Sequence, residues 1–240
     1  MKITAIIPSR YNSNRFPGKP LKDICGKTMV QRVYEQVKKV NLIDIVIIAT
    51  DDQRILNEVK KFKGKVVMTS KNHKTGTDRL VEVAKKIDSD IIVNVQGDEP
   101  LIKPSVIESA IEPLLLDNTL EMCTLKHLIK DEEKINNPNV VKVITDKNNN
   151  AIYFSRSKIP FARNSKKFKY YKHIGLYVYR KDFLLDYDNM DPTPLEKQES
   201  LEQLRLIENG YKIRVIETKY NSIGVDTKKD LIEVRKKLEE

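Results

Sequence analysis

Runs of β-branched residues and apolar stripes at helical spacing alternate along most of this chain. Residues 3–7 (Ile-Thr-Ala-Ile-Ile) carry no charge and stop at Pro8, the pattern of a strand buried on both faces of a parallel sheet. Val30, Val33 and Val37, with Tyr34, share one helical face and predict a helix over about 28–40. A continuous apolar strand follows at 45–49, ending in Thr50-Asp51-Asp52. The same alternation predicts a helix at 52–62, a strand at 65–69, a helix at 77–87 and a strand at 90–95. Strands and helices joined by short connections are βαβ units. The first hundred residues or so therefore read as a doubly wound, Rossmann-like layer with right-handed crossovers.

Pro104 suits the first turn of a helix running to about 116, because its missing N–H and fixed φ fit that position. Beyond it the pattern loosens. Strands are predicted at 121–127 and 140–145, Asn148-Asn149-Asn150 reads as a turn before Ile152-Tyr-Phe-Ser-Arg156, and a basic stretch at 163–169 reads as a mobile loop before a strand at 172–179. A helix at 200–209 is stopped by Gly210, a strand follows at 211–217, and Thr227 caps a last helix bearing Leu231, Val234 and Leu238. No repeat or Pro/Gly/Ser-rich linker divides the chain. The fold class expected is α/β: one Rossmann-like, doubly wound domain over 1–240 with a mostly parallel sheet and a smaller inserted region at about 125–190.

Composition narrows the functional classes. With 40% hydrophobic and 32% charged residues, no run near 18 apolar residues and no apolar leader before the first strand, the expectation is a soluble, cytoplasmic protein without membrane contact. Net charge is +10, which raises nucleic acid as a partner. Yet the lysines are scattered over predicted helix faces, as at Lys60, Lys61, Lys85, Lys86, Lys236 and Lys237, and no aromatic residues interleave them. A solvated Lys-rich surface accounts for the charge, and no nucleic-acid partner is expected. Cys25 and Cys123 are too few and too far apart for a disulfide framework or a zinc site.

The candidate chemistry starts where the first strand ends. Arg10, Arg15 and Lys19 stand among Ser9, Asn12, Ser13, Asn14, Pro17, Gly18 and Pro20, a loop of cations and turn formers. At the carboxyl end of a strand in an open α/β sheet, such a loop suits an anionic ligand: Arg binds oxygens in pairs and Lys brings a compact charge. It matches neither G-x-x-x-x-G-K-[ST] nor G-x-G-x-x-G. A second strand delivers Asp98 to its carboxyl end in Val93-Asn-Val-Gln-Gly-Asp-Glu-Pro100, and Asp226 precedes the last helix in Gly224-Val-Asp-Thr227. Mg²⁺ takes one or two carboxylates plus substrate phosphates, and these two fit that need; taken singly, each Asp is more often a turn or cap residue. Gly76-Thr77-Asp78-Arg79 opens a helix, where N–H groups and the dipole favour an anion, although spacing alone favours a simple cap.

The loop Arg10-Tyr-Asn-Ser-Asn-Arg-Phe-Pro-Gly-Lys-Pro-Leu21 resembles the nucleotide-binding loop of the sugar cytidylyltransferases, A-R-x-x-S-x-R-x-P-G-K-P-L, with Ser9 and Asn12 replacing the usual Ala and Gly. Gly76-Thr-Asp-Arg79, Val95-Gln-Gly-Asp-Glu-Pro-Leu101, His173-Ile-Gly-Leu-Tyr177, Leu201-Glu-Gln-Leu204 and Gly224-Val-Asp-Thr227 narrow the resemblance to the 3-deoxy-manno-octulosonate (Kdo) cytidylyltransferases, over about 3–235.

The resemblance implies attack of the anomeric hydroxyl of Kdo on the α-phosphate of CTP, giving CMP-Kdo and pyrophosphate for lipopolysaccharide or capsule. It places Arg10, Ser13, Arg15, Lys19, Thr77, Arg79 and Gln96 at the nucleotide, with Lys19, Arg10, Arg15 and Asp98 assisting transfer. Asp98 and Asp226 would hold Mg²⁺. Arg156, His173, Tyr177, Glu202 and Gln203 would read the sugar acid; without the resemblance all five are ordinary core or surface residues. His173 and Tyr177 lie four apart on one strand and share a face, and Glu202 and Gln203 lie on the predicted 200–209 helix. A homodimer is also implied, with 125–190 as its substrate and dimerisation region. Three alternatives stay open: a related acid such as 8-amino-Kdo or a sialic acid; a glycosyltransferase, for which Asp88-Ser-Asp90 has the D-x-D spelling but precedes its strand; and a nucleic-acid binder.

Overall fold

The computed structural model describes residues 1–12, 16–73, 75–164, 168–187 and 189–239. In the first half a small hairpin follows the first strand and strands then alternate with helices: β1 (Ile3–Ser9), β2 (Asp23–Ile24), β3 (Lys27–Thr28), α1 (Met29–Val37), β4 (Ile45–Thr50), α2 (Gln53–Lys61), β5 (Lys65–Met68), α3 (Gly76–Ala84), β6 (Ile91–Asn94) and α4 (Pro104–Leu116). The second half has β7 (Met122–Leu128), α5 (Glu132–Asn136), β8 (Lys142–Thr145), β9 (Ala151–Ser155), β10 (Tyr171–Arg180), α6 (Lys181–Tyr187), α7 (Pro194–Glu199), α8 (Leu204–Glu208), β11 (Arg214–Glu217) and α9 (Lys228–Glu239).

Among the described residues the main sheet runs β11-β7-β10-β6-β1-β4-β5, with β8 and β9 attached beside β10. Strands β5, β4, β1 and β6 are mutually parallel, and β11 is parallel to β7; β10 lies antiparallel between β6 and β7. The chain moves outward from β1 to β4 and β5, then returns to place β6 on the other side of β1. Strand order therefore reverses between β1 and β6, the switch point beyond whose carboxyl ends open α/β sheets bind ligands.

Alternation along the strands separates two cores. Ile3, Ala5, Ile7, Val93 and Val95 face α1, α2 and α4, whereas Ile6, Ile92 and Tyr179 face α3, α6 and α8. A third, smaller cluster joins distant parts of the chain: Phe16, Ile24 and Met29 pack with Val225, Leu231 and Val234. Arg235 of α9 fastens the same junction by donating through Nε and Nη2 to the carbonyl of Asp23. This packing carries the 224–227 segment back beside the loop that follows β1.

Two expectations change. Of the helix expected over 200–209 only α8 (Leu204–Glu208) forms: Ser200 is left-handed (φ 52°) at the C-cap of α7, and 201–203 make a turn. Glu202 and Gln203 therefore lie on the turn, not on a helix. The cap of α3 is Thr75, whose hydroxyl accepts from Asp78 N while the Asp78 carboxylate accepts from Thr75 N, so Thr77 is released from that duty. Of the basic loop at 163–169, residues 165–167 lie outside those described.

Candidate active site

A cavity of about 670 Å³ opens at the switch point, between the carboxyl ends of β1 and β6 and the α7–α8 turn. Its cationic end is built by the loop after β1. Gly18 adopts φ 67°, and the ring of Tyr11 stands 3.2 Å from where a Cβ would project, so a side chain there would meet both strain and crowding. Gly18 N donates to Tyr11 O at 2.9 Å, closing the loop just before a short 3-10 turn, Lys19–Leu21, that directs Lys19 into the cavity. Arg10, Asn12 and Lys19 line this end; Ser13 and Arg15 lie outside the described residues.

Opposite them is the turn after β6. A Cβ on Gly97 would sit 2.7 Å from Pro8 O and 3.0 Å from Ser9 Oγ, so only glycine lets this turn close against the end of β1. The next residue, Asp98, receives Lys19 Nζ at 2.8 Å, and its carbonyl accepts Val225 N at 2.9 Å. That bond places Asp226 on the other side of the same ammonium, with Lys19 Nζ at 3.1 Å from its Oδ1. Burial disfavours the Lys19 ammonium, but the two carboxylates outweigh it and hold its pKa above the ordinary value. Two carboxylates within reach of one cation are the donor set Mg²⁺ takes when a substrate supplies the other oxygens. Among the described residues no group of three or more His, Cys, Asp and Glu side chains is gathered as a metal centre, so protein groups alone do not complete a shell.

The third wall carries hydroxyls and amides. Thr77 Oγ1 donates to Glu202 Oε2 at 2.5 Å, Tyr187 Oη donates to Glu202 O at 3.0 Å, and Tyr177 Oη donates to Gln203 Oε1 at 3.4 Å. Burial raises the Glu202 pKa, the Thr77 hydroxyl opposes that rise, and nearby Asp78 and Glu196 add to it. Gln96, also on the wall, donates Nε2 to Gly175 O at 3.1 Å, where the β10–β7 pairing shifts register.

Three expected site residues do not reach the wall. Arg79 is fully buried beneath α3, donating to Asp51 Oδ2 at 2.8 Å and to Thr69 Oγ1; its position on the inward face of the helix turns it from a ligand contact into an internal tie. His173 lies behind Tyr177, with ring centroids 5.3 Å apart, and packs edge-on to Phe154. Its Nε2 is 2.9 Å from Thr124 Oγ1, a hydroxyl that also lies 2.8 Å from the carbonyl of Leu176 and 3.1 Å from that of Ile174. Burial depresses the His173 pKa to about 3. Arg156 is held by carbonyls, with Nε on Glu199 O at 2.7 Å and Nη1 on Pro138 O at 3.2 Å, next to the wall residue Ser200. The D-x-D spelling belongs to the opposite end of the sheet, where Asp90 accepts Lys2 N and Asp88 pairs with Lys2 Nζ.

Sequence reasoning missed Asn94, Ser200 and Tyr187 on the wall, and a buried group behind Asp98. Burial, reinforced by Asp98, pushes the Glu99 carboxyl up to about 7, although Lys172 and Ser222 act the other way. The signal for Asn94 was present: a lone carboxamide ending an otherwise apolar strand.

Comparison with known proteins follows this geometry. The cytidylyltransferase family profile matches residues 4–213. A 3-deoxy-manno-octulosonate cytidylyltransferase of Geobacter metallireducens is 56% identical, over 99% of this chain and 98% of its own. One from Fusobacterium nucleatum is 54% identical, over 98% and 96%. The solved structure of CMP:2-keto-3-deoxy-manno-octonic acid synthetase complexed with CTP superposes with a TM-score of 0.96 at 44% identity, covering 100% of this chain and 99% of that one. A 4-diphosphocytidyl-2C-methyl-D-erythritol synthase from Anaerococcus prevotii, 17% identical at a TM-score of 0.65, shares the fold. The chain belongs to the cytidylyltransferase family, among the 3-deoxy-manno-octulosonate cytidylyltransferases.

Proposed function

We propose that this protein activates Kdo with CTP, forming CMP-Kdo and pyrophosphate, for lipopolysaccharide or capsule synthesis. The observation that carries this reading is a single cavity bounded by the cationic loop, the Asp98–Asp226 pair and the Tyr177–Glu202–Gln203 wall. The loop suits a triphosphate, the wall suits a polyhydroxy acid, and the carboxylates lie where the two reactants would meet.

In this reading Lys19 and Arg10, with Arg15, bind phosphate oxygens and stabilise charge as the anomeric hydroxyl attacks the α-phosphorus in line. Ser13, Thr77 and Gln96 contact the nucleotide. Tyr177, Glu202 and Gln203 orient the sugar, while His173 and Arg156 support that wall from behind and beside it. Mg²⁺ held by Asp98 and Asp226 would neutralise phosphate charge and lower the pKa of the attacking hydroxyl. The reaction belongs to the cytoplasm, where CTP is supplied; no helix among the described residues is long and apolar enough to cross a membrane. The active form is a homodimer using part of the single domain's 125–190 region.

The test is pyrophosphate release from CTP and Mg²⁺ with Kdo, 8-amino-8-deoxy-Kdo and N-acetylneuraminate offered separately, with ATP, GTP and UTP as controls. Release with Kdo and CTP is expected, and Asp98→Asn abolishes it without lowering the melting temperature. Release only with another acid would overturn the sugar assignment and leave the nucleotide end standing.

A further inference from the structure

The inner part of the cavity holds a side chain that packing does not explain. Asn94 ends β6, paired with Ile6 of β1 on one side and Tyr177 of β10 on the other. Its strand neighbours Val93 and Val95 enter the core beneath α1 and α4, so Asn94 shares the opposite face with Ile92, toward the cavity. It is 3% exposed, its Oδ1 has no hydrogen-bond partner, and it lines the cavity with Met122, Tyr177, Tyr179 and Leu206.

A buried amide oxygen without a partner destabilises the free protein, and an apolar side chain of similar shape would avoid that penalty. A second orphan stands nearby: Gln203, 5% exposed, accepts from Tyr177 through Oε1 and leaves Nε2 unpaired. The wall near Tyr177 thus offers one unpaired acceptor and one unpaired donor. The phosphate-binding cations Arg10 and Lys19, with Asp98 and Asp226, belong to the loop end of the cavity, and the one carboxylate on the Tyr177 wall, Glu202, already accepts from Thr77 Oγ1. A neutral hydroxyl, which donates and accepts together, satisfies such a pair; a phosphate, which only accepts, does not.

We propose that Asn94 is a specificity-determining residue that binds a hydroxyl of the sugar acid remote from its anomeric centre. This rests on the reading of the cavity as a Kdo site. Interchanging the oxygen and nitrogen of the amide leaves the argument intact, because a hydroxyl can meet either atom. The unpaired amide oxygen is stability given up in the free enzyme and recovered when the correct sugar arrives.

The test is Asn94→Leu, which keeps the branched shape without the polar atoms, assayed with Kdo, CTP and a set of monodeoxy Kdo analogues. The expected result is a KM for Kdo raised on the order of ten- to a hundredfold, an unchanged KM for CTP and a melting temperature equal to or above the wild type. One monodeoxy analogue should be poor for the wild type yet no worse than Kdo for the variant. Should Asn94→Leu fail to fold, Asn94→Ser, which keeps a small hydroxyl, gives the same comparison with a smaller KM change. An unchanged KM for Kdo with a lowered melting temperature would make Asn94 structural, and a shifted KM for CTP would move it to the nucleotide; either overturns the proposal. Absence of Kdo turnover in the wild type itself would instead remove the substrate reading on which it rests.

Discussion

Lys19 is shared between two carboxylates, at 2.8 Å from Asp98 and 3.1 Å from Asp226. Removing it leaves two like charges facing each other with no ammonium between them. Lys19→Met should therefore lower kcat about 10²–10³-fold by loss of charge stabilisation. The same variant should gain more thermal stability from added Mg²⁺ than the wild type does, since no ammonium competes for the pair; an equal gain in both would separate Lys19 from the metal site. His173 has a different consequence. In the unfolded chain its ring takes a proton below about 6.5, whereas in the fold it stays neutral down to about 3. Protons then bind preferentially to the unfolded state, so His173 subtracts stability progressively as pH falls from about 6.5 toward 3. Denaturation curves of the wild type and His173→Gln across that interval should converge at neutral pH and separate on the acid side, the variant losing less.

At the scale of elements, the cluster of Phe16, Ile24, Met29, Val225, Leu231 and Val234 joins α9 to the loop after β1. Leu231→Ala should cost about 2–3 kcal/mol in chemical denaturation, near the low end for Leu→Ala because the side chain is not wholly enclosed. It should also raise the Mg²⁺ concentration needed for half-maximal rate, since α9 holds Asp226 in place; an unchanged Mg²⁺ requirement would show that the 224–227 segment is fixed without the helix. The parallel strands and α1 to α4 were legible because buried strands flanked by amphipathic helices repeat one simple pattern. The hairpin of β2 and β3, and the helices α5, α6 and α7, were not. They are two to seven residues long and too short to display a period. The turn carrying Glu202 and Gln203 was hidden for another reason: Ser200, a non-glycine residue read as the start of a helix, adopts φ 52° at the end of α7 and delays helix until Leu204. Arg79 shows the reverse limit, since a sequence motif names a residue without saying which way its helix turns it.

At the scale of the whole molecule, large apolar side chains remain outside the cores. Phe161 is 85% exposed and Phe168 47%, both within the region proposed for dimerisation. Phe161→Asp should shift the protein toward monomer in sedimentation across a range of concentrations, and unchanged mass would place the interface elsewhere. Distance along the chain matters in another way. Asp98 and Asp226 are brought together by one backbone hydrogen bond, Val225 N to Asp98 O, and by the third cluster. The main sheet is complete by Glu217, but the second carboxylate comes only after it. A ribosome that stalls between those points would release a chain able to build its sheet yet lacking half of the carboxylate pair. With Asp226 in its proposed metal-holding role, a chain that ends before residue 226 should not turn over nucleotide.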